Sequence, residues 1–198
     1  MVERQLRARG IADERVLRAM GDVPRERFVP AHVRGRAYRD RALRIGQGQT
    51  ISQPWIVAAM TQLLELEGHE RVLEVGTGSG YGAAVLSRCA REVVTIERHG
   101  RLARGAAAAL RELGYYNVEV RTGDGALGAP DRAPFEGIVV TATADGDPPS
   151  ALLEQLAPGA PIVAPLRRAD GEHLMRLVAG REEAIAPVRF VPLVPGSA

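Results

Sequence analysis

From residue 71 onward, short apolar runs alternate with longer stretches in which apolar side chains recur at helical spacing. Arg71–Val75, Val93–Glu97, Val118–Thr122, Ile138–Thr141 and Ile162–Ala164 read as strands. Ala83–Ala90, His99–Leu113 and Pro148–Leu156 read as helices between them, the last two stopped at Gly114 and at Pro158-Gly159. His173–Val178 and Ala184–Val191 read as two closing strands joined across Gly180. Strands spaced by helices predict an α/β fold, a doubly wound and mostly parallel seven-stranded sheet. In such a sheet ligands bind beyond the carboxyl ends of the strands, at the switch beside the first one.

The first 70 residues follow another pattern. Val2, Leu6 and Ile11, then Val16, Leu17 and Met20, recur near turn spacing, so residues 1–20 are expected to be helical, with Asp13-Glu14 opening a second helix. Val23–Pro30 is bounded by prolines and reads as a connector, and residues 31–48 are polar and arginine-rich without a periodic signal. Ser52, just before Pro54, is a good start for a helix over Trp55–Glu67 that ends at Gly68. The expectation is one domain over 1–198, in which 1–53 form a helical cap and a loop at the site and 54–198 form the Rossmann-like core.

The chemistry gathers at Val75-Gly76-Thr77-Gly78-Ser79-Gly80. Glycines at alternate positions after a strand permit positive φ and let a ligand approach the main chain, while the following helix presents unpaired N–H groups. Glu97 ends the second predicted strand, 21 positions beyond Gly76. That is where a carboxylate accepts from ribose hydroxyls. Asp124, in Thr122-Gly123-Asp124-Gly125, is placed to accept from an adenine amino group, or to form the turn itself. Adenine and ribose are shared by NAD and S-adenosylmethionine. The loose dinucleotide match at Gly78–Ala83 begins three residues past the strand, whereas Gly76-x-Gly78-x-Gly80 follows it directly. Glu74 would repel a pyrophosphate but suits the ammonium of a methionine moiety, so S-adenosylmethionine is the expected cofactor and S-adenosylhomocysteine its product.

Composition narrows the partners. No apolar run reaches the ~18 residues of a membrane span, and the N-terminal residues lack the apolar centre of a signal peptide. The single cysteine, Cys89, rules out an internal disulfide, and a cytoplasmic monomer is expected. Net charge is only +2, yet residues 1–44 hold twelve arginines against six acids. Such a front could meet nucleic acid, but a solvated helical face is the plainer reading. A base-modifying methyltransferase wants an Asn/Asp-Pro-Pro-aromatic run directly after the fourth strand. Here Thr141-Ala142-Thr143 stands there, and Asp147-Pro148-Pro149-Ser150 comes later without an aromatic residue. No nucleic-acid partner is expected. The four histidines are far apart and match no metal-ligand spacing, so no metal is expected either.

Several separate stretches resemble the bacterial branch of the protein-L-isoaspartate O-methyltransferases. They are Val23–Pro30, Ile45–Pro54 with its Gly-Gln-Gly-Gln-Thr-Ile-Ser-Gln-Pro run, Arg71–Gly82, Thr122–Gly125, Ala133–Ala142 and the Val-Arg-Phe-Val-Pro-Leu run of Val188–Leu193. The resemblance implies a class I S-adenosylmethionine-dependent methyltransferase fold. It implies methylation of the α-carboxyl of L-isoaspartyl residues in damaged proteins and peptides; the ester then closes to a succinimide whose hydrolysis returns some aspartate. It makes Ser52 the active-site residue. It also puts Ser52, Gln53, Trp55, Val188, Phe190 and Val191 beside the peptide, although ordinary core packing is an equal alternative for Trp55. Thr50, Glu74, Gly76, Thr77, Gly78, Ser79, Gly80, Glu97, Asp124, Gly125 and Thr141 are the expected cofactor side. Arg44 stands where the family usually has proline, and Thr143–Asp147 is more acidic than the family's version. A carboxylate of pKa near 4 is already ionised at neutral pH and needs no general base. Alignment alone can supply ~7–11 kcal/mol, so one orienting hydroxyl is enough.

Overall fold

The computed structural model describes residues 1–196. A helical turn at Val2–Leu6 and a 3-10 turn at Arg7–Arg9 end at Gly10, which takes the left-handed conformation. Helix α1 (Glu14–Asp22) follows. Asp13 is its cap, accepting from the amides of Arg15 and Val16, so the acidic pair does open a second helix as expected. The proline-bounded connector becomes a 3-10 turn at Arg25–Phe28, and another turn spans Ala31–Arg36.

The stretch without periodic signal holds an unexpected hairpin. Strands β1 (Leu43–Gly46) and β2 (Gln49–Ile51) pair antiparallel across a turn in which Gly46, Gln47 and Gly48 all have positive φ. Helix α2 (Pro54–Gln62) starts with Pro54 in its first turn and Gln53 as its cap. Ser52 therefore does not cap it. The helix is also shorter than expected, because the chain turns at residues 63–65, where Glu65 has φ +54.

The core then alternates as the hydrophobic pattern requires. Its elements are β3 (Arg71–Val75), α3 (Tyr81–Ser87), β4 (Glu92–Glu97), α4 (Gly100–Glu112), β5 (Val118–Thr122), β6 (Gly137–Val140), a two-residue β7 (Ala144–Asp145), the short α5 (Ser150–Leu153), β8 (Ile162–Arg168), β9 (Gly171–Val178) and β10 (Arg181–Pro187). The sheet order is β10-β9-β8-β6-β3-β4-β5, with β7 added beside β8. The five strands from β8 to β5 run parallel, and β9 and β10 fold back antiparallel as one edge. The closing strand is shorter than expected: residues 188–191 leave the ladder and cross the carboxyl ends of the central strands.

Both faces of the sheet are covered, which explains strands that are nearly continuously apolar. Val72, Val93, Val139 and Val163 pack on the face beneath α1, α2 and α3. Leu73, Val75, Val94, Ile96, Ile138 and Val140 pack on the other. The two-residue alternation puts Glu74, Thr95, Glu97 and Thr141 on the first of these faces.

Candidate active site

Register brings the polar residues of that face together. Glu74 and Thr95 are direct partners across β3 and β4. Thr95 Oγ1 donates to Glu74 Oε2 at 2.6 Å, and the hydroxyls of Thr77 and Thr95 lie 2.6 Å apart. Glu74 is only 2% exposed. Burial pushes its carboxyl up to about 8; the Thr95 hydrogen bond opposes the shift and the nearby Glu97 charge adds to it.

Glu97 stands two residues further, at the end of β4. Its Oε2 accepts from the amide of Gly78 at 2.8 Å and its Oε1 from the amide of His99 at 2.9 Å. The carboxylate thereby fixes the turn, and a carboxylate has about four acceptor positions, so two remain. Thr141 follows Val140, the register partner of Val75. Its hydroxyl donates to the carbonyls of Gly76 (2.8 Å) and Val75 (3.0 Å). Gly76 has φ +99, and a Cβ there would collide with Thr141 Oγ1, so glycine is required twice over.

These groups floor a cleft of about 1080 Å³. Glu74, Gly76, Thr77, Gly78, Ser79 and Glu97 line it from the turn, with Gly125 and Thr141 beside them. Thr50, Ser52, Gln53 and Trp55 line it from the segment joining β2 to α2. Val188, Phe190 and Val191 line it from the strand that left the ladder. That strap is pinned by main-chain bonds: Val188 N to Glu172 O (2.9 Å), Thr143 N to Val191 O (2.8 Å) and Leu193 N to Thr143 O (2.7 Å). The Glu172 carboxylate also accepts from Phe190 N, and its hydrogen bond with Arg167 holds it below the usual carboxylate range.

Two expected cofactor residues, Asp124 and Gly80, are not among those that line the cleft. Asp124 Oδ1 accepts from Ala126 N at 2.9 Å and its Oδ2 from Gly196 N at 2.7 Å, so it shapes the turn and, like Glu97, keeps two acceptor positions. Gly80 faces α4: a Cβ on it would sit 3.2 Å from Ala106 Cβ and 3.3 Å from Leu110 Cδ1. Its absent side chain serves helix packing.

Ser52 is half-buried in the lining, and its hydroxyl makes no hydrogen bond among the described residues. It is free to meet a ligand. Trp55 both packs on the core and lines the cleft, and its Nε1 donates to Arg9 O at 3.2 Å. Arg9, whose guanidinium lies 4.6 Å from the indole centroid and pairs with Asp40, also lines the cleft, as do Arg98, His99 and Arg189. None of these four was singled out by the sequence. Arg9 is one of twelve arginines in its region, His99 reads only as the start of a helix, and Arg189 only as part of the Val188–Leu193 run.

A cofactor of the expected kind fits this donor set. A buried acid that ionises reluctantly for want of a cation suits an ammonium or sulfonium, and spare lone pairs on Glu97 suit a ribose. A doubly wound sheet with its glycine turn, strand-end acid and cleft at the carboxyl end defines the class I methyltransferase fold.

Within that class, the sequence model of the family described as protein-L-isoaspartate(D-aspartate) O-methyltransferase (PCMT) matches residues 1–198, and the chain belongs to this family. The protein-L-isoaspartate O-methyltransferase 2 of Anaeromyxobacter sp. (strain Fw109-5) is 54% identical, covering 99% of this chain and 82% of its own. That of Protochlamydia amoebophila (strain UWE25) is 50% identical over 98% of this chain and 95% of its own. A solved protein-L-isoaspartate O-methyltransferase superposes with a TM-score of 0.87 at 28% identity, covering 97% of this chain and 65% of that one. A Plasmodium falciparum beta-aspartate methyltransferase structure, determined with S-adenosyl-L-homocysteine, shares the fold at a TM-score of 0.81 and 22% identity, over 98% of this chain and 96% of that one.

Proposed function

We propose that this protein transfers the methyl group of S-adenosylmethionine to the α-carboxyl of L-isoaspartyl residues in damaged proteins and peptides, the first step of their repair through a succinimide. The observation that carries the reading is the unengaged Ser52 hydroxyl facing the same cleft as Glu74 and Glu97. Family membership over residues 1–198 supports it.

S-adenosylmethionine, when bound, supplies a methyl group already activated by its sulfonium. Glu97 accepts from the ribose hydroxyls with the lone pairs that Gly78 and His99 leave free. Glu74 lies toward the ammonium, directly or through water, and ionises as that cation approaches. Thr141 locks the two carbonyls at the end of β3, so the turn keeps its shape under load. Ser52 donates to the isoaspartyl carboxylate and turns one oxygen toward the methyl carbon. Gln53, Trp55, Val188, Phe190 and Val191 wall the peptide. Because charge is neutralised in the transfer, a site screened from water favours the transition state over the separated ions.

We take the working protein to be a cytoplasmic monomer without a nucleic-acid partner. Several front-end arginines are already spent on the protein itself: Arg7 pairs with Glu3 and Glu14, Arg9 with Asp40 and Arg27 with Glu112, while Arg25 is buried. No helix among the described residues is long and apolar enough to cross a membrane. The test is radiolabelled methyl transfer to a matched pair of peptides, one isoaspartyl and one aspartyl. Label in the first alone is expected; label in both or in neither rejects the reading.

A further inference from the structure

Among the described residues one arginine is buried without an anionic partner. Arg25 is wholly buried, and among the described residues no carboxylate lies within ion-pair reach of it. Its Nε donates to Ala37 O at 2.7 Å and its Nη2 to Ser52 O at 2.7 Å. The guanidinium lies 4.7 Å from the ring centroid of Tyr81, which opens α3 directly after the glycine turn and lines the cleft. Nη1 is buried without a hydrogen-bond partner. Asp40, whose charge also acts on Arg25, pairs through Oδ2 with Arg9.

Burying a charge without a counter-charge is costly, and an apolar side chain of similar volume would serve packing better. The location of the charge is what the cost maintains. Residues 50–53 carry both the hydroxyl that faces the cleft and its neighbours, yet among the described residues no side chain other than Arg25 hydrogen-bonds to them. The planar fork reaches two carbonyls at once and stacks on an aromatic face, which a lysine ammonium cannot do.

We infer that Arg25 is a positioning residue for the methyl transfer: it clamps the Ser52 peptide against the first residue of the helix that follows the cofactor turn, and so fixes the distance between the orienting hydroxyl and the methyl donor. The inference rests on the role given to Ser52 above. It also explains a charged side chain buried in a connector whose other buried residues, Val23, Phe28 and Val29, are apolar. A misplacement of about 1 Å can cost two orders of magnitude in rate, so one lost clamp is enough to be measured.

The test is a double-mutant cycle on kcat with an isoaspartyl peptide, using Arg25→Met and Ser52→Ala, with S-adenosylhomocysteine affinity measured by calorimetry on each variant. The expected result is at least a tenfold fall in kcat for Arg25→Met and a change of less than threefold in that affinity. In the Ser52→Ala background the same substitution then changes kcat less than threefold. Arg25→Lys is run through the same cycle, so a Met variant that does not fold leaves the comparison intact; it is expected to recover part of the rate only when Ser52 is present. A full tenfold loss in the Ser52→Ala background, or an equal loss of cofactor affinity, overturns the inference and leaves the Ser52 role standing. No change in kcat for Ser52→Ala alone overturns both.

Discussion

Glu74 and Thr95 face each other across β3 and β4, and the threonine hydroxyl donates to the buried carboxyl at 2.6 Å. Burial of that carboxyl, which the hydrogen bond only partly offsets, makes stability depend on pH. In the unfolded chain this carboxyl titrates near 4.5, and in the fold near 8. Between those values the folded chain holds a proton that the unfolded chain has released, so stability falls as pH rises from about 4.5 to about 8 and is flat on either side. The cost above pH 8 is on the order of 3–5 kcal/mol. Glu74→Gln keeps an acceptor for Thr95 and removes the titration. Urea unfolding of the ligand-free protein at pH 5 and pH 8 should show the variant closing most of the gap between the two. Parallel pH slopes in variant and wild type would show that another group is responsible.

The same carboxyl makes ligand binding visible as a proton. If the cofactor's ammonium sits near Glu74, the ion it favours is the carboxylate, and a proton leaves as the ligand enters. Titrating S-adenosylhomocysteine at pH 7 in two buffers of different ionisation enthalpy should give apparent heats that differ by the release of close to one proton. Glu74→Gln should abolish the difference. Identical heats in both buffers for the wild type would move the ammonium away from Glu74.

Glu97 has a different task because both of its oxygens already hold main-chain amides. Replacing it with Gln keeps one acceptor oxygen and loses the charge on every bond it accepts. Charge-assisted bonds are worth roughly 1.5–3 kcal/mol, so affinity for S-adenosylhomocysteine should fall about 10- to 100-fold. The KM for peptide should change far less. Calorimetry and steady-state kinetics on the same preparation check the split, and an unchanged affinity would remove Glu97 from the cofactor side.

Much of this site was readable before the fold was known, and the reason is local. A glycine turn needs no distant partner to be recognised, and Glu97 is identified by its spacing from that turn. Four of the five parallel strands are continuous enough in Val, Ile and Leu to be found within a residue or two, while β8 runs on to Arg168, four residues past the expected Ala164. What escaped depends on contacts distant in sequence. The strands of the β1–β2 hairpin, four and three residues long, are too short for an alternating signal, and its turn uses Gln47 in the left-handed region between two glycines. Asp124 has the right spacing for adenine, and the bond its second oxygen accepts from Gly196, 72 residues away, has no local signal. Ser52 resembled a helix cap because Pro54 follows it, yet Gln53 holds the cap position and leaves the hydroxyl free. The Val188–Val191 segment has the composition of a strand; Val188 still bonds to Glu172 of β9, and main-chain bonds with Thr143 then draw the residues after it off the ladder and over the cleft.

Gly80 shows how a motif residue can serve packing alone. It has φ +90, and an added Cβ would press on Ala106 and Leu110 of α4. Gly80→Ala combines a left-handed penalty of about 1–2 kcal/mol with overpacking of about 1–3 kcal/mol. A loss of stability of ~2–4 kcal/mol is expected in urea unfolding. In the fraction that remains folded, affinity for S-adenosylhomocysteine should stay within a few-fold of wild type. Stability kept and affinity lost would place Gly80 against the ligand after all.

In the proposed reaction Ser52 orients the acceptor, and its substitution separates orientation from binding. The isoaspartyl carboxylate arrives ionised, so no proton has to be removed, and the hydroxyl contributes only by holding one oxygen in line with the methyl carbon. A hydrogen bond to a charged group is worth roughly 1.5–3 kcal/mol, equivalent to about 10- to 100-fold in rate when it is realised mainly in the transition state. Ser52→Ala should therefore lower kcat by that factor while the KM for S-adenosylmethionine moves less than threefold. Ser52→Thr, which retains a hydroxyl, should recover part of the loss. The pH profile of kcat between 6 and 9 should keep its shape in Ser52→Ala, because the hydroxyl does not titrate there. A new pH dependence in the variant would mean that Ser52 had been assisting a proton transfer, and the base-free account of the chemistry would have to be given up.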